Sequence, residues 1–327
     1  MSERIQKTKK QHYVPRCYLD AWAVPNKYQV HVYDLKTDMQ RISNINDIAS
    51  ENHFYDFIPD NVFSKQALDA FHKYGILLDS KSPFQGIEHA FANYIEDNYS
   101  KLLKKVINDS KSATPWIINN CYFISEQQKA DMSEFLALQF IRTKKVRNMM
   151  LELSTSLEPI LKDMGASVET LDKCKVDKER AKNIHARMLM NNKDLPEISK
   201  SFWSLTWVLG INKTEKKFYT SDNPIGTHAH IKDPIMSMSG LQSPGVEVFF
   251  PISPNCILLM FDGSYHNHIA YLERKYVLID DELSVDYYNS LCVLRCERCV
   301  FSNDGDYKLV KGVKKRNPDV FINRRQN

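Results

Sequence analysis

A chain of 327 residues with 43% hydrophobic and 26% charged residues has the make-up of a folded protein with a substantial core, which excludes wholesale disorder and fibrous repeats. Its net charge of +4 is too mild for a dedicated duplex-binding protein, which concentrates basic residues on one face. No apolar run approaches the ~20 residues that a membrane-spanning helix needs.

Seven cysteines, an odd number, accompany a chain start that is polar and basic with no apolar stretch behind it. Reduced thiols in a cytoplasmic protein are therefore expected. Basic residues cluster at Arg4, Lys7, Lys9 and Lys10, at Arg142, Lys144, Lys145 and Arg147, and at Lys311, Lys314, Lys315, Arg316, Arg324 and Arg325. Solvated faces and tails are the first reading of such runs, contact with nucleic acid the second.

In chain order, TKKQHYVPRCYLDAWA (8–23) opens the fold with an extended Val-Pro step. YQVHVYDL (28–35) alternates apolar and polar positions and, with MQRIS after a polar turn, predicts a hairpin; NHFYDF (52–57) predicts a third short strand. Phe84, Ile87, Phe91, Ile95, Tyr99, Leu102 and Val106 recur at three- and four-residue spacing, predicting one helix of about 25 residues. Ser125 with Gln128 forms a capping box for a second helix running to about residue 153, and further helices are expected at about 154–164 and 177–192. Strand character returns in WSLTWVL (203–209), KFYTS, VEVFFPIS and CILLMF, before a last helix at about 281–296 and the strand CVFS. The expectation is one α+β domain over 1–327: a β segment at 10–60, a helical insertion at 84–195, a C-terminal sheet and helix at 200–303 and a basic tail at 304–327. N- and C-terminal segments share a mixed or antiparallel sheet, with the long helices as an inserted layer.

Several residues stand out chemically. Arg142 falls in an apolar helix stripe, where an unpaired guanidinium costs several kcal/mol and so demands a partner. Glu88, at the edge of the first long helix's stripe, is the expected one; the pair is either a structural link or a place to bind an anionic group. FYTSDNPIG (218–226) ends a strand sharply, and Ser221, Asp222 and Asn223 either shape an Asx-type turn or supply a general base with polar contacts. His228/His230 with Asp222 keeps a divalent metal open, although His-x-His pairs are common by chance. Cys292, Cys296 and Cys299 lack a standard zinc spacing and read as buried thiols. Arg180 and His185 match the Arg-x4-His arrangement of the HEPN ribonucleases, but roughly one such match is expected by chance, and His185 beside Ile184 and Met188 reads as a core histidine. Phosphate-binding glycine loops, nucleophile elbows and kinase motifs are absent.

QHYVPRCYLDAWA, VHVYDL, NHFYDF, FLALQFIRT, FYTSDNPI, VEVFFPISPNCILLM and VDYYNSLCVLRCERCVFS, in this order and spacing, resemble the DUF4238 family over about residues 10–303. That family is widespread in bacteria and has no established reaction. The resemblance implies that His12, Arg142, Ser221, Asp222 and Asn223 occupy its motif positions; Arg16-Cys17 departs from the expected glutamine and large apolar residue. The expectation is a hydrolase acting on a phosphate-containing substrate, in the form of a nuclease-like anti-phage effector. His12 is general acid or base, Asp222 orients it or holds a metal, Arg142 binds phosphate, and Ser221, Asn223 and Glu88 contact substrate. The alternative is a non-catalytic sensor of nucleic acid or protein, which the 11% aromatic content also suits. Composition and motifs do not set the oligomeric state.

Overall fold

The computed structural model describes residues 9–73, 83–91, 96–190, 193–233, 238–318 and 320–321; Arg4, Lys7, Ile95, Arg324 and Arg325 lie outside them. It is about 50% helical and 20% strand, an α+β fold. The opening segment forms β1 (Lys10–His12), after which Pro15 starts α1 (Arg16–Leu19) and its carbonyl accepts from the Tyr18 and Leu19 N–H groups. β2 (Gln29–Asp34) and β3 (Met39–Asn44) make the expected hairpin. The third strand comes earlier than expected: β4 (Ser50–Asn52) pairs with β1, and His53, at φ 55°, turns the chain out of it.

The helical insertion runs through α2 (Pro59–Val62), α3 (Lys65–Lys73), α4 (Gly86–Ala90), α5 (Glu96–Ser112), α6 (Pro115–Asn120), α7 (Glu126–Ile141), α8 (Lys144–Asp163), α9 (Val168–Cys174), α10 (Lys178–Met190) and α11 (Asp194–Trp203). The predicted first helix is described in two stretches, α4 with Ile87 and its C-cap Phe91, and α5 with Tyr99, Leu102 and Val106; residues 92–95 between them lie outside the described residues. One prediction is corrected: the helix expected from 126 to 153 ends at Ile141, and the stretch expected as a separate helix from 154 is the continuation of α8. The break has a tertiary cause. The carbonyls of Ile141 and Arg142 are engaged by His185 Nε2 at 2.7 Å and by the Tyr55 hydroxyl at 3.0 Å, partners that lie far off in sequence.

β5 (Thr206–Asn212), β6 (Thr220–Ser221), β7 (Gly226–Ala229), β8 (Val246–Ser253), β9 (Cys256–Phe261), β10 (Lys275–Ile279), α12 (Glu282–Arg295), β11 (Cys299–Ser302) and α13 (Lys308–Arg316) complete the chain. Trp203 closes α11 instead of opening β5. The expected basic tail is in part packed on the fold: α13 buries Val310 and Val313, and Phe321 beyond it is buried as well. A four-stranded antiparallel sheet, β3-β2-β11-β6, joins N- and C-terminal segments as expected. The other C-terminal strands form a second, five-stranded sheet, β10-β5-β9-β8-β7, in which β10 runs parallel to β5 and the remaining neighbours are antiparallel.

One tyrosine of the opening motif ties these two sheets together. Tyr18 stacks on Phe250 with ring centroids 5.1 Å apart, and its hydroxyl donates to the Pro251 carbonyl of β8 while accepting from Thr220 Oγ1 of β6. Tyr18→Phe keeps the stacking and strands two buried polar groups, so it is expected to cost about 1–3 kcal/mol. Urea unfolding would show this as a lower midpoint at unchanged slope.

Candidate functional site

Arg142, with only 1% of its surface exposed, holds α7, α8 and the N-terminal strand together. Its Nη2 donates to the His12 carbonyl at 2.6 Å and lies 3.4 Å from Glu96 Oε1, its Nε donates to the Tyr55 hydroxyl at 3.3 Å, and Phe91 lies 4.3 Å beneath the guanidinium carbon. Burial opposes the charge, but Tyr55, Glu96 and Glu88 outweigh it and hold the pKa above the ordinary arginine value. The ion pair is therefore with Glu96 and not, as expected, with Glu88. Glu88 stays close enough to feel Arg142, yet its Oε2 is buried without a partner, and burial pushes its pKa up to about 7.

His12 is 8% exposed, and its Nε2 is buried with no hydrogen-bond partner. Burial, reinforced by Arg16 and Arg142, lowers its pKa to about 4, so the ring is neutral at pH 7. What His12 gives to Arg142 is its backbone carbonyl. Tyr13, the next residue, faces the other way: it packs on Phe54 at 5.2 Å and borders a cleft shared with Asp222.

That cleft encloses about 900 Å³ between the β1–β4 ribbon, the start of α8 and the turn from α12 into β11. Asp222, 3% exposed, lies on its wall. The carboxylate Oδ1 accepts from the Glu297 N–H, and Oδ2 from the Arg298 and Cys299 N–H groups, each at 2.9 Å. Burial and then Glu297 raise its pKa to about 6 against the pull of those three donors. Around it Lys144 pairs with Glu51, Asn148 Nδ2 donates to Glu297 Oε1 at 2.7 Å, and Arg298 bonds Asp34 through Nε and Nη2. Lys36, Arg41 and Lys145 add further cations to the lining.

The structure thus brings His12 and Arg142 together and sets Asp222 with Tyr13 on the cleft. Among the described residues no hydrogen bond or ion pair joins Asp222 to His12 or Arg142. Ser221 Oγ donates to the Asn223 carbonyl at 2.9 Å, and Asn223 Nδ2 to the Arg295 carbonyl at 3.0 Å, so both shape the turn that presents Asp222. His228 and His230 adjoin Glu247 and His266 at the edge of the five-stranded sheet, not Asp222. Among the described residues no group of three or more His, Cys, Asp and Glu is placed to hold a metal ion. Cys292 and Cys296 are buried and Cys299 is partly buried, none of the three in a disulfide, and His185 is sealed against Ile141 and Arg147 with Arg180 bonded elsewhere. Sequence reasoning missed Glu51, Lys144, Asn148, Glu297 and Arg298 as cleft residues. Only the charged pair in RCERC, directly after a helix, hinted at Glu297 and Arg298.

Residues 10–306 match the family model described as "Protein of unknown function (DUF4238)". Among curated proteins and among solved structures nothing matches the chain.

The raised pKa of Glu88 makes a pH-dependent forecast. Its folded value, about 7, exceeds the ordinary 4.5, so the folded chain keeps a proton that the unfolded chain releases; the stability this gives is full below pH 4.5, is lost as pH rises from 4.5 to about 7, and is absent above that. Glu88→Gln is expected to raise Tm by a few degrees at pH 8, with the gain fading as pH falls through 7 toward 4.5. A lower Tm at pH 8 would show instead that Arg142 needs the second carboxylate.

Proposed function

The chain belongs to the DUF4238 family of proteins of unknown function, and we propose from the chemistry of its cleft that it is a hydrolase acting on a phosphate-containing substrate. The observation that carries this reading is Asp222, a buried carboxyl on the wall of an open cleft whose pKa, raised to about 6, suits proton transfer near neutral pH. Lys36, Arg41, Lys144, Lys145 and Arg298 line the cleft among six carboxylates, and Lys144 and Arg298 would exchange their partners Glu51 and Asp34 for phosphate oxygens; the 900 Å³ volume suits a nucleic-acid segment in place of a single small anion. In this reading Asp222 takes a proton from a water whose oxygen bonds to phosphorus as the ester P–O bond breaks, and returns that proton to the departing alkoxide. His12 and Arg142 then act as positioning residues, because they hold the strand that carries Tyr13 to the cleft. The setting proposed with it, cytoplasmic anti-phage defence in bacteria, rests on the family resemblance alone.

A second reading is favoured by a specific observation: His12 and Arg142 are sealed inside the fold, and the two Asp222 oxygens already receive three backbone N–H groups. In it the same cleft binds a phosphate-bearing partner without turnover.

The two readings separate in assays of single-stranded DNA, RNA and bis-p-nitrophenyl phosphate with Mg²⁺, Mn²⁺ or chelator. Hydrolysis by the wild type that falls about 10²-fold or more in Asp222→Asn, with KM rising in Arg41→Gln at unchanged Tm, supports the enzyme. Binding that weakens in Arg41→Gln with no turnover in any condition supports the binder. Turnover unaffected by Asp222→Asn removes Asp222 from the chemistry.

A further inference from the structure

Helix α8 spans 20 residues and buries none of them. An isolated helix of that length is marginal in water and normally depends on a packed apolar face. Half of its apolar residues are uncovered: Val146, Met150, Leu151 and Leu161 are half-buried, but Met149 (57%), Leu153 (58%), Leu157 (40%), Ile160 (53%) and Met164 (78%) are all exposed. At 3.6 residues per turn the five exposed ones fall within an arc of about 80°, so they form one continuous seam. α10 and α9 pack against the helix elsewhere.

We propose that this seam is the interface through which a second copy of the chain docks, with the two α8 helices antiparallel about a two-fold axis. Three properties of the helix support a second copy. The seam is nearly palindromic, with spacings of four, four, three and four residues: reversal sets Met149 of one copy against Met164 of the other, Leu153 against Ile160, and Leu157 against itself. Its charges are unevenly placed, with Lys144, Lys145 and Arg147 in the first turn and Glu152, Glu158 and Asp163 further on, Glu158 being paired with Lys162, so antiparallel docking brings Lys145 of each helix toward Asp163 of the other. Its size is also appropriate. The five side chains expose roughly 500 Å², within the range for the largest patch on a monomer, and covering it on both copies buries about 1,000 Å², the threshold for a specific interface before any polar rim is added. An isologous contact of this kind closes on itself and does not propagate.

The seam adjoins the cleft. Met149, Glu152 and Ser156 on the same helix line it, so a second copy on α8 stands at the cleft's rim. The inference rests on the helix and not on the hydrolase reading, and the two fail separately.

Light scattering on the eluting full-length protein at about 100 µM tests it. The expected mass is about 76 kDa, twice the 38.1 kDa of the chain. Leu153→Glu and Ile160→Glu are each expected to convert the protein to a folded monomer with near-UV circular dichroism retained, because both positions face solvent within one copy, and with a lower Tm because the stabilisation by the second copy is lost. Thr155→Glu, on the far side of the helix, should leave the dimer intact. A wild-type monomer at that concentration overturns the proposal, including one that instead binds neutral lipid vesicles through this face. A dimer that survives both seam variants overturns it as well, since another surface must then hold the copies together.

Discussion

A buried guanidinium organises this molecule. Arg142 is removed from water at a point where the helical layer meets the N-terminal strand, and a charge in that position must be surrounded by acceptors. The His12 carbonyl, the Tyr55 hydroxyl and Glu96 meet that demand from three separate parts of the chain, with Phe91 closing one face. Each of those groups is fixed in turn: Gln11 Oε1 accepts from the Tyr55 N–H, Gln139 Nε2 donates to the Tyr13 carbonyl, and β1 is paired with β4. Removing the charge would therefore release the opening strand as well as one ion pair.

The same strand then serves two faces. Successive residues of an extended chain point in opposite directions, so holding the His12 carbonyl against Arg142 sends Tyr13 to the cleft, where Asp222 lies. Asp222 has its own organising task, since its carboxylate gathers the N–H groups of residues 297–299 and pins the end of α12 and the start of β11 to the turn after β6. Burial and the neighbouring Glu297 raise the pKa of this capping carboxylate to about 6, which is why a turn-forming residue is also a candidate for proton transfer. The cleft is thus a by-product of two structural clamps, one on each wall.

Breaking the long helix at Arg142 and Thr143 has a further consequence. A continuous helix from 126 would have kept one direction throughout; the break frees α8 to leave the core, its first turns tied through Lys144 to Glu51, Arg147 to Phe54 and Asn148 to Glu297, and its middle through Ser154, whose Oγ donates to the Cys174 carbonyl. Beyond Asn148, Met150, Leu151 and Leu161 stay half-buried, while Met149, Leu153, Leu157 and Ile160 stand in solvent. The constraint that closes the core around Arg142 is also the one that exposes the seam of α8.

Much of the fold was legible from local pattern. The β2–β3 hairpin, the capping box at Ser125, the strands VEVFFPIS and CILLMF and the helix after Asp281 follow from periodicity and cap chemistry, which act over a few residues, and the α+β class follows from their order. The burial of Arg142 and the importance of the HYVP and TSDNP segments could also be read from residue type and context. Three things could not. The helix break depends on Tyr55 and His185 reaching carbonyls dozens of residues away, and no local signal at Arg142 announces them. The choice of Glu96 over Glu88 depends on which carboxylate the packing of α5 against α7 brings to Arg142, a matter of tertiary contact and not of spacing. That Tyr13 and not His12 shares the cleft with Asp222 depends on the pairing of β1 with β4, which sets the facing of every side chain in that strand. Sequence alone determined which residues required partners; the tertiary structure decided who the partners are, because burying a charge or a polar atom creates an obligation that only a neighbour in space can meet.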